Sequence, residues 1–330
     1  MKNLIVLSGG GFKASYQVGV LQRLQALGII FDCIMGTSGG ALNGVLAASH
    51  RINDLEEIWN DIAKKGVSGV FESDLLDLST MKLDFKKLIK YIIPFIGFKL
   101  LTSKGREEFK TVLKTKLNSI EYLATSNGLE SILTKVVNKD EVKVPFYFNF
   151  NDLITGKEII TSKSNYIHNK DYINGIVASA SIPLILKPKK VFTKNAVYSK
   201  CVDGGISSNA LISEAIRYIK ADNDPTNWRL IVVNCNSQNL EKVTSFNGII
   251  PIFERVVLGI MLNTLNKKEV NMVTTINNLA RSSNGYLDIP FYCISPESDD
   301  LGNTMEITED INSYRINRGI EDANKFIKII

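Results

Sequence analysis

Cys33-Ile34-Met35-Gly36-Thr37-Ser38-Gly39-Gly40-Ala41-Leu42 decides how this chain reads. A small hydroxyl stands among glycines, directly after one apolar run and directly before another. Two readings compete. The stretch is an ordinary glycine turn between a strand and a helix, or it is a G-x-S-x-G nucleophile elbow. An elbow needs these residue types for a physical reason. The serine takes strained backbone angles so that its Oγ projects from the sheet edge, while Gly36 and Gly40 let strand and helix approach without Cβ clashes. The helix that follows aims its N-terminal N–H groups at the site and favours negative charge there.

Outward from this turn, the chain alternates strands and helices. Leu4–Leu7 reads as a short buried strand, Ala14–Leu27 keeps helical spacing at Val18, Leu21 and Leu24, and Gly28 is a natural stop. Residues 29–35 form the next predicted strand, followed by the Ser38 turn and a helix through Ala48. Such repetition is the signature of an α/β sheet with parallel strands, whose ligand-facing edge lies at the strands' C-terminal ends. Further strands are predicted over 144–150, 158–161, 198–202, 230–234 and 286–294, and helices over 54–64, 107–117, 211–220 and 311–329. With no repeats and no Pro/Gly linker, the 330 residues are expected to form one domain, carrying a basic amphipathic insertion or lid at about 66–120.

Composition removes several classes of function. No stretch approaches 18 uncharged apolar residues, and the four apolar residues before the first glycines are too few for a signal peptide. The expectation is a cytoplasmic protein, peripheral to membranes at most. Cys33, Cys201, Cys235 and Cys293 are widely spaced inside apolar runs, so neither a disulfide framework nor a metal site is expected and four buried free thiols are. The net charge of +5 is concentrated in residues 81–120, which carry ten Lys/Arg against three Asp/Glu. No nucleic-acid module accompanies it. Within it, Phe85, Leu88, Ile89 and Ile92 share one helical face, Lys86, Lys87 and Lys90 the other, and Pro94 ends the pattern. That face fits peripheral binding to an anionic membrane, and equally a helix covering the core with its lysines in water.

A serine hydroxyl needs a base to become a nucleophile. His50 follows Ser38 by twelve residues on what reads as the same helix, about 18 Å away, and His168 lies in a polar surface run. A histidine triad is therefore not expected. Another base is offered by Tyr198-Ser199-Lys200-Cys201-Val202-Asp203-Gly204-Gly205, where a strand ends at Asp203 and glycines turn the chain away, although Asp-Gly is also a common turn with no chemistry. In Leu7-Ser8-Gly9-Gly10-Gly11-Phe12-Lys13-Ala14-Ser15, consecutive glycines expose N–H groups able to hold an oxyanion or a phosphate. Gly9-x-Gly11-x-x-Ala14 also fits a dinucleotide fingerprint, but its acid, Asp32, falls at the start of the second strand rather than its end.

Three glycines after the first strand, Gly36-Thr37-Ser38-Gly39-Gly40 after the second, and a distant Asp203-Gly204-Gly205 together resemble the patatin-like phospholipase family. The Ala/Ser-rich stretch from Ile176 to Pro188 and the strand-turn from Asn151 to Ile159 add to the resemblance, which is strongest over residues 1–50 and 176–210. It implies a three-layer α/β/α sandwich with a mostly parallel central sheet and a nucleophile elbow. It implies Ser38 as nucleophile, Asp203 as its partner in a dyad without histidine, and an oxyanion hole from Gly9, Gly10 and Gly11 with the N–H of Gly39. Gly36, Gly40, Gly204 and Gly205 would support these motifs. Lys13 stands where the family has arginine, keeping the charge and losing the guanidinium fork. The implied activity is hydrolysis of phospholipid or other acyl-lipid esters without metal or cofactor. Two alternatives stay open: a thioesterase or acyltransferase on the same site, and a nucleotide-binding α/β protein in which Ser38 is only a turn.

Overall fold

Strand β1, Lys2–Leu7, sends alternate side chains into two different cores. Leu4 and Val6 join one with Ile212, Ile216 and Val273, while Ile5 and Leu7 join the other with Leu21, Val45 and Ile176. A strand buried on both faces must be apolar at every position, which is why β1 reads as an unbroken run rather than an alternation. Each such side chain contributes roughly 1.5–3 kcal/mol through burial. The computed structural model describes residues 1–84, 86–87, 111, 114–115, 119–237, 239–240, 242–246, 252–282 and 287–327.

The other strands are β2 (Cys33–Gly36), the small hairpin β3 (Leu76–Asp77) and β4 (Lys82–Leu83), β5 (Phe146–Asp152), β6 (Lys157–Ser162), β7 (Lys189–Phe192), β8 (Val197–Asp203), β9 (Trp228–Val233) and β10 (Phe291–Ile294). The main sheet runs β10-β9-β1-β2-β5-β8-β7, with β6 paired to β5 off that path. The first five of these strands are mutually parallel, and β6, β7 and β8 add antiparallel pairings. Helices α1 (Ser15–Ala26), α2 (Gly39–Ala48), α3 (Ile52–Lys65), α4 (Asn127–Val136) and α5 (Asn169–Ser179) contribute to the core on one face. On the other face lie α6 (Ile212–Lys220) and α7 (Leu262–Ser282), the latter continuing a π-helical turn over Glu254–Met261. The terminal helix α8 (Glu309–Ile327) packs along α1, where Tyr16 donates to Asp322 at 3.1 Å. The expected three-layer α/β/α sandwich with a mostly parallel sheet is the fold observed.

Several expected bounds change for identifiable reasons. The second strand begins at Cys33, not residue 29, because Asn3 ties down the approach: its N–H donates to Asp32 Oδ2 at 2.8 Å and its Nδ2 to the Ile30 carbonyl at 2.7 Å. The last strand shortens to β10 because Pro290, lacking an N–H, precedes it. His50 does not continue the helix after Ser38; α2 stops at Ala48 and His50 turns with a positive φ of 59°. The helix predicted over 107–117 and the apolar face of residues 85–92 fall almost wholly outside the described residues. No helix among the described residues is long and apolar enough to cross a membrane.

Strand and helix meet most closely at the turn between β2 and α2. A side chain at Gly40 would place its Cβ 2.3 Å from the Leu7 carbonyl oxygen, and one at Gly36 would stand 2.4 Å from the Gly40 carbonyl. Both obstacles are backbone, so the first yields only if β1 moves and the second only if α2 does. Gly40→Ala is expected to destabilise the fold by about 3 kcal/mol, the upper range for overpacking, read as a shift in the urea midpoint at unchanged slope.

Candidate active site

Ser38 occupies the corner between β2 and α2 with φ 54° and ψ −123°, backbone that L-residues rarely adopt. The corner is held from four directions. Ser38 N–H donates to Ser179 Oγ at 2.9 Å, its carbonyl accepts from Ala41 and Leu42, Gly40 N–H donates to the Thr37 carbonyl, and Thr37 Oγ1 donates to Asn149 Oδ1. These bonds keep the strained serine from relaxing. Its hydroxyl is thereby aimed off the C-terminal edge of the parallel strands.

Asp203 reaches the same place from β8, whose end pairs antiparallel with β5 so that Phe150 stands opposite Asp203. Ser38 Oγ donates to Asp203 Oδ2 at 2.7 Å, and Gly205 N–H donates to Oδ1 at 2.7 Å. The Asp203 backbone is fixed as well, its N–H donating to the Ser181 carbonyl and its own carbonyl accepting from Asn151 Nδ2. Burial pushes the carboxyl up from 3.8 to about 6, while the Ser38 hydroxyl and the Gly205 N–H restrain the rise. A carboxylate with that affinity for a proton, in contact with a hydroxyl, is equipped for proton transfer near neutral pH.

The glycine loop supplies fewer free donors than its three glycines suggest. Gly9 N–H donates to the Asn209 carbonyl at 2.8 Å, which removes it from the expected oxyanion set. The N–H groups of Gly10, Gly11 and Gly39 have no acceptor among the described residues, and a Cβ on Gly39 would stand 2.8 Å from the Gly11 carbonyl oxygen. Lys13 is buried and pairs with Asp299 at 3.2 Å. The fully buried guanidinium of Arg315, on α8, donates to the carbonyls of Phe12, Leu301, Asn303 and Glu306. Thr304, in that same strap, accepts the Phe12 N–H through its carbonyl. Lysine and arginine together therefore fasten residues 299–306 against the glycine loop, a task divided between two distant cations.

Two cavities meet at Ser38. One lies between Ser38, Asp203, Asn209 and Thr304 and is roofed by Leu258 and Met261 of the π-helical turn. The other is almost entirely apolar, running from Ser38 and Gly39 past Leu42, Trp59, Phe71 and Leu129. The second has the lining an acyl chain requires, and the first the polar atoms a reacting carbonyl requires.

The remaining candidates sit elsewhere. His168 is exposed at the start of α5, and His50 lies in the turn beyond α2. Asp32 is bound to Asn3 at the strand end opposite the glycine loop, so it has no part in a dinucleotide site there. Lys86 is exposed, but Lys87 Nζ is tied to the Ser73 and Leu76 carbonyls, at 3.1 and 2.8 Å, and Lys90 is outside the described residues. Cys33, Cys201 and Cys235 are buried, with thiols pushed up to about 12 by burial; Cys293, expected to be buried, is half-buried, with burial again raising its thiol. No cluster of three or more potential metal ligands occurs among the described residues.

Ser179, Asn149 and Asn151 bond the corner or its partner, Asn209 bonds the glycine loop at Gly9, and none is singled out by the sequence. Ser179, Asn151 and Asn209 lie inside the stretches that carry the resemblance, so the signal was present at motif level without a role attached. Arg315 has no local signal at all.

A family model described as Patatin-like phospholipase matches residues 5–216. No protein of curated function matches the chain in sequence. Among solved structures, the crystal structure of VipD from Legionella pneumophila is similar at a TM-score of 0.41 and 14% identity, over 99% of this chain and 66% of that one. The chain thus spans slightly less than two thirds of that protein's length.

Proposed function

The chain belongs to the patatin-like phospholipase family, and from that premise we propose that it is a lipid acyl hydrolase working through Ser38 and Asp203. The observation that carries the reading is the 2.7 Å hydrogen bond from Ser38 Oγ to a buried carboxylate whose proton affinity is raised to about 6. In the first half-reaction Ser38 Oγ attacks the ester carbonyl carbon while its proton passes to Asp203 Oδ2. The carbonyl oxygen takes up negative charge against the N–H groups of Gly10, Gly11 and Gly39, aided by the N-terminus of α2. Collapse breaks the ester bond, and the leaving alcohol takes the proton from Asp203. Water then repeats the sequence on the acyl-Ser38 ester and releases the fatty acid. The apolar cavity beside Gly39 receives the first carbons of the acyl chain.

A fluorophosphonate probe tests this directly, since it phosphonylates an activated serine. Labelling is expected at Ser38 alone, and absence of label there would sink the reading. Because Asp203 must be ionised to accept a proton, labelling and ester turnover are expected to rise tenfold per pH unit below about 6 and to level off above it. A profile flat from pH 4 to 8 would show that Asp203 is not the base.

The same chemistry serves a thioesterase or an acyltransferase, because the nucleophile and base are indifferent to the leaving group. Mass spectrometry of products from mixed acyl lipids separates these: free fatty acid marks the hydrolase, and a new ester marks the transferase.

A further inference from the structure

The Asn209 amide has one orientation open to it. The backbone N–H of Asn236, which can only donate, bonds Asn234 Oδ1 at 3.0 Å and so fixes which atom of Asn234 points inward. Asn266 must then present Nδ2 to that oxygen, at 2.9 Å, and turn its own Oδ1 toward Asn209. Asn209 in turn presents Nδ2 to Asn266 Oδ1 at 3.1 Å and to the Gly9 carbonyl at 3.3 Å, both of which can only accept. Oδ1 of Asn209 is left on the side of Gly205, and both residues line the cavity that holds Ser38 and Asp203. The residue is fully buried, and this oxygen has no hydrogen-bond partner among the described residues.

A buried acceptor without a donor is costly, and natural folds retain one where a ligand satisfies it. Its surroundings say which donor fits. The point where a Cβ at Gly205 would stand is 2.9 Å from Asn209 Oδ1 and 3.1 Å from Asp203 Oδ1, so the two oxygens are at most about 6 Å apart, a gap one water bridges. A Cβ at Gly9 would stand 2.4 Å from Asn209 Oδ1 and 3.1 Å from Ser38 Cβ, which sets the same oxygen beside the nucleophile. The cavity these atoms line has room for about one water molecule. An amide oxygen would repel an oxyanion, so Asn209 Oδ1 has no place among the oxyanion donors.

We propose that Asn209 Oδ1 positions the water that hydrolyses the acyl-Ser38 ester, an inference that rests on the reading of Ser38 and Asp203 above. One water hydrogen is held on Asn209 Oδ1 and the other on the Asp203 carboxylate, which turns an oxygen lone pair toward the acyl carbon. The water oxygen bonds that carbon as its proton moves to Asp203, and the carbonyl electron pair moves to the oxyanion. Collapse breaks the bond from the acyl carbon to Ser38 Oγ, which takes the proton back from Asp203. The second hydrogen leaves with the fatty acid.

The test is stopped-flow release of p-nitrophenol from p-nitrophenyl butyrate by the wild type and Asn209→Ala, with intact-protein mass spectrometry. The variant is expected to give a burst of about one equivalent, a steady state at least about tenfold slower than wild type, and butyryl-Ser38 visible by mass. Burst and steady state falling together without an acyl adduct, or an unchanged steady state, would overturn the proposal. Fluorophosphonate labelling reports separately on the dyad. No label on wild-type Ser38 overturns the dyad reading and this one with it, whereas a labelled wild type with no acyl build-up in the variant overturns this one alone. If Asn209→Ala does not fold, Asn209→Ser decides, since it fills part of the site while its shorter side chain withdraws the amide oxygen. It is expected to accumulate butyryl-Ser38, and turnover without accumulation overturns the proposal.

Discussion

Ser38→Ala is expected to lower ester turnover by about four orders of magnitude or more, the scale on which a serine nucleophile's removal is felt. The substitution deletes the one oxygen that touches Asp203 Oδ2 and leaves the corner's backbone bonds in place. Residual rate from the cavity and the N–H groups would set the floor. Turnover within tenfold of wild type would end the nucleophile reading. Stability provides an independent view of the same residue. At φ 54° and ψ −123° a Cβ is strained, so Ser38→Gly is expected to be equally inactive yet more stable by about 1 kcal/mol. A glycine variant less stable than wild type would mean that the corner stores no strain.

Asp203→Asn carries the second large effect, and it moves activity and stability in opposite directions. Asparagine keeps an oxygen for the Gly205 N–H and cannot accept the Ser38 proton, so turnover is expected to fall by at least about a thousandfold. Stability follows from the raised carboxyl. Between 3.8 and about 6 the folded protein binds a proton that the unfolded chain has released, so stability falls as pH rises through that window and stays lower above it. The cost of the buried charge at pH 8 is about 3 kcal/mol. Asp203→Asn removes it, and is expected to be the more stable protein at pH 8 while showing no such gain at pH 4. Urea midpoints at the two pH values measure this, and an equal difference at both would contradict a raised Asp203. A site that destabilises its own fold is expected where a charge is kept out of water for chemistry.

Much of the architecture was legible because it is written in local patterns. The unbroken apolar run of β1, the helical spacing to Leu24 and the glycines around Ser38 each answer to backbone sterics or to a period of two or 3.6. Helices α4, α5 and the long segment ending at Ser282 were missed because they carry Gly, Thr and Asn, whose weak propensity is overridden by packing. The antiparallel edge strand β7 was missed for a similar reason: Lys189–Phe192 is four residues long with no polar–apolar alternation, and its partner β8 supplies the order.

The sequence by itself determined the two strand–turn–helix units, the strained place of Ser38 and the presence of an acid at a strand end. These depend on neighbours in the chain: glycine where no Cβ fits, apolar residues where both sheet faces are covered. Only the tertiary structure decided that Asp203 meets Ser38, that the Gly9 N–H is already used, that Lys13 and Arg315 share the strap over the glycine loop, and that the Asn209 amide oxygen is left without a partner beside Gly205. Those facts depend on which segments the sheet brings into register and on how far it excludes water. A carboxyl has its ordinary proton affinity in any exposed turn; burial beside Ser38 is what raises it to about 6.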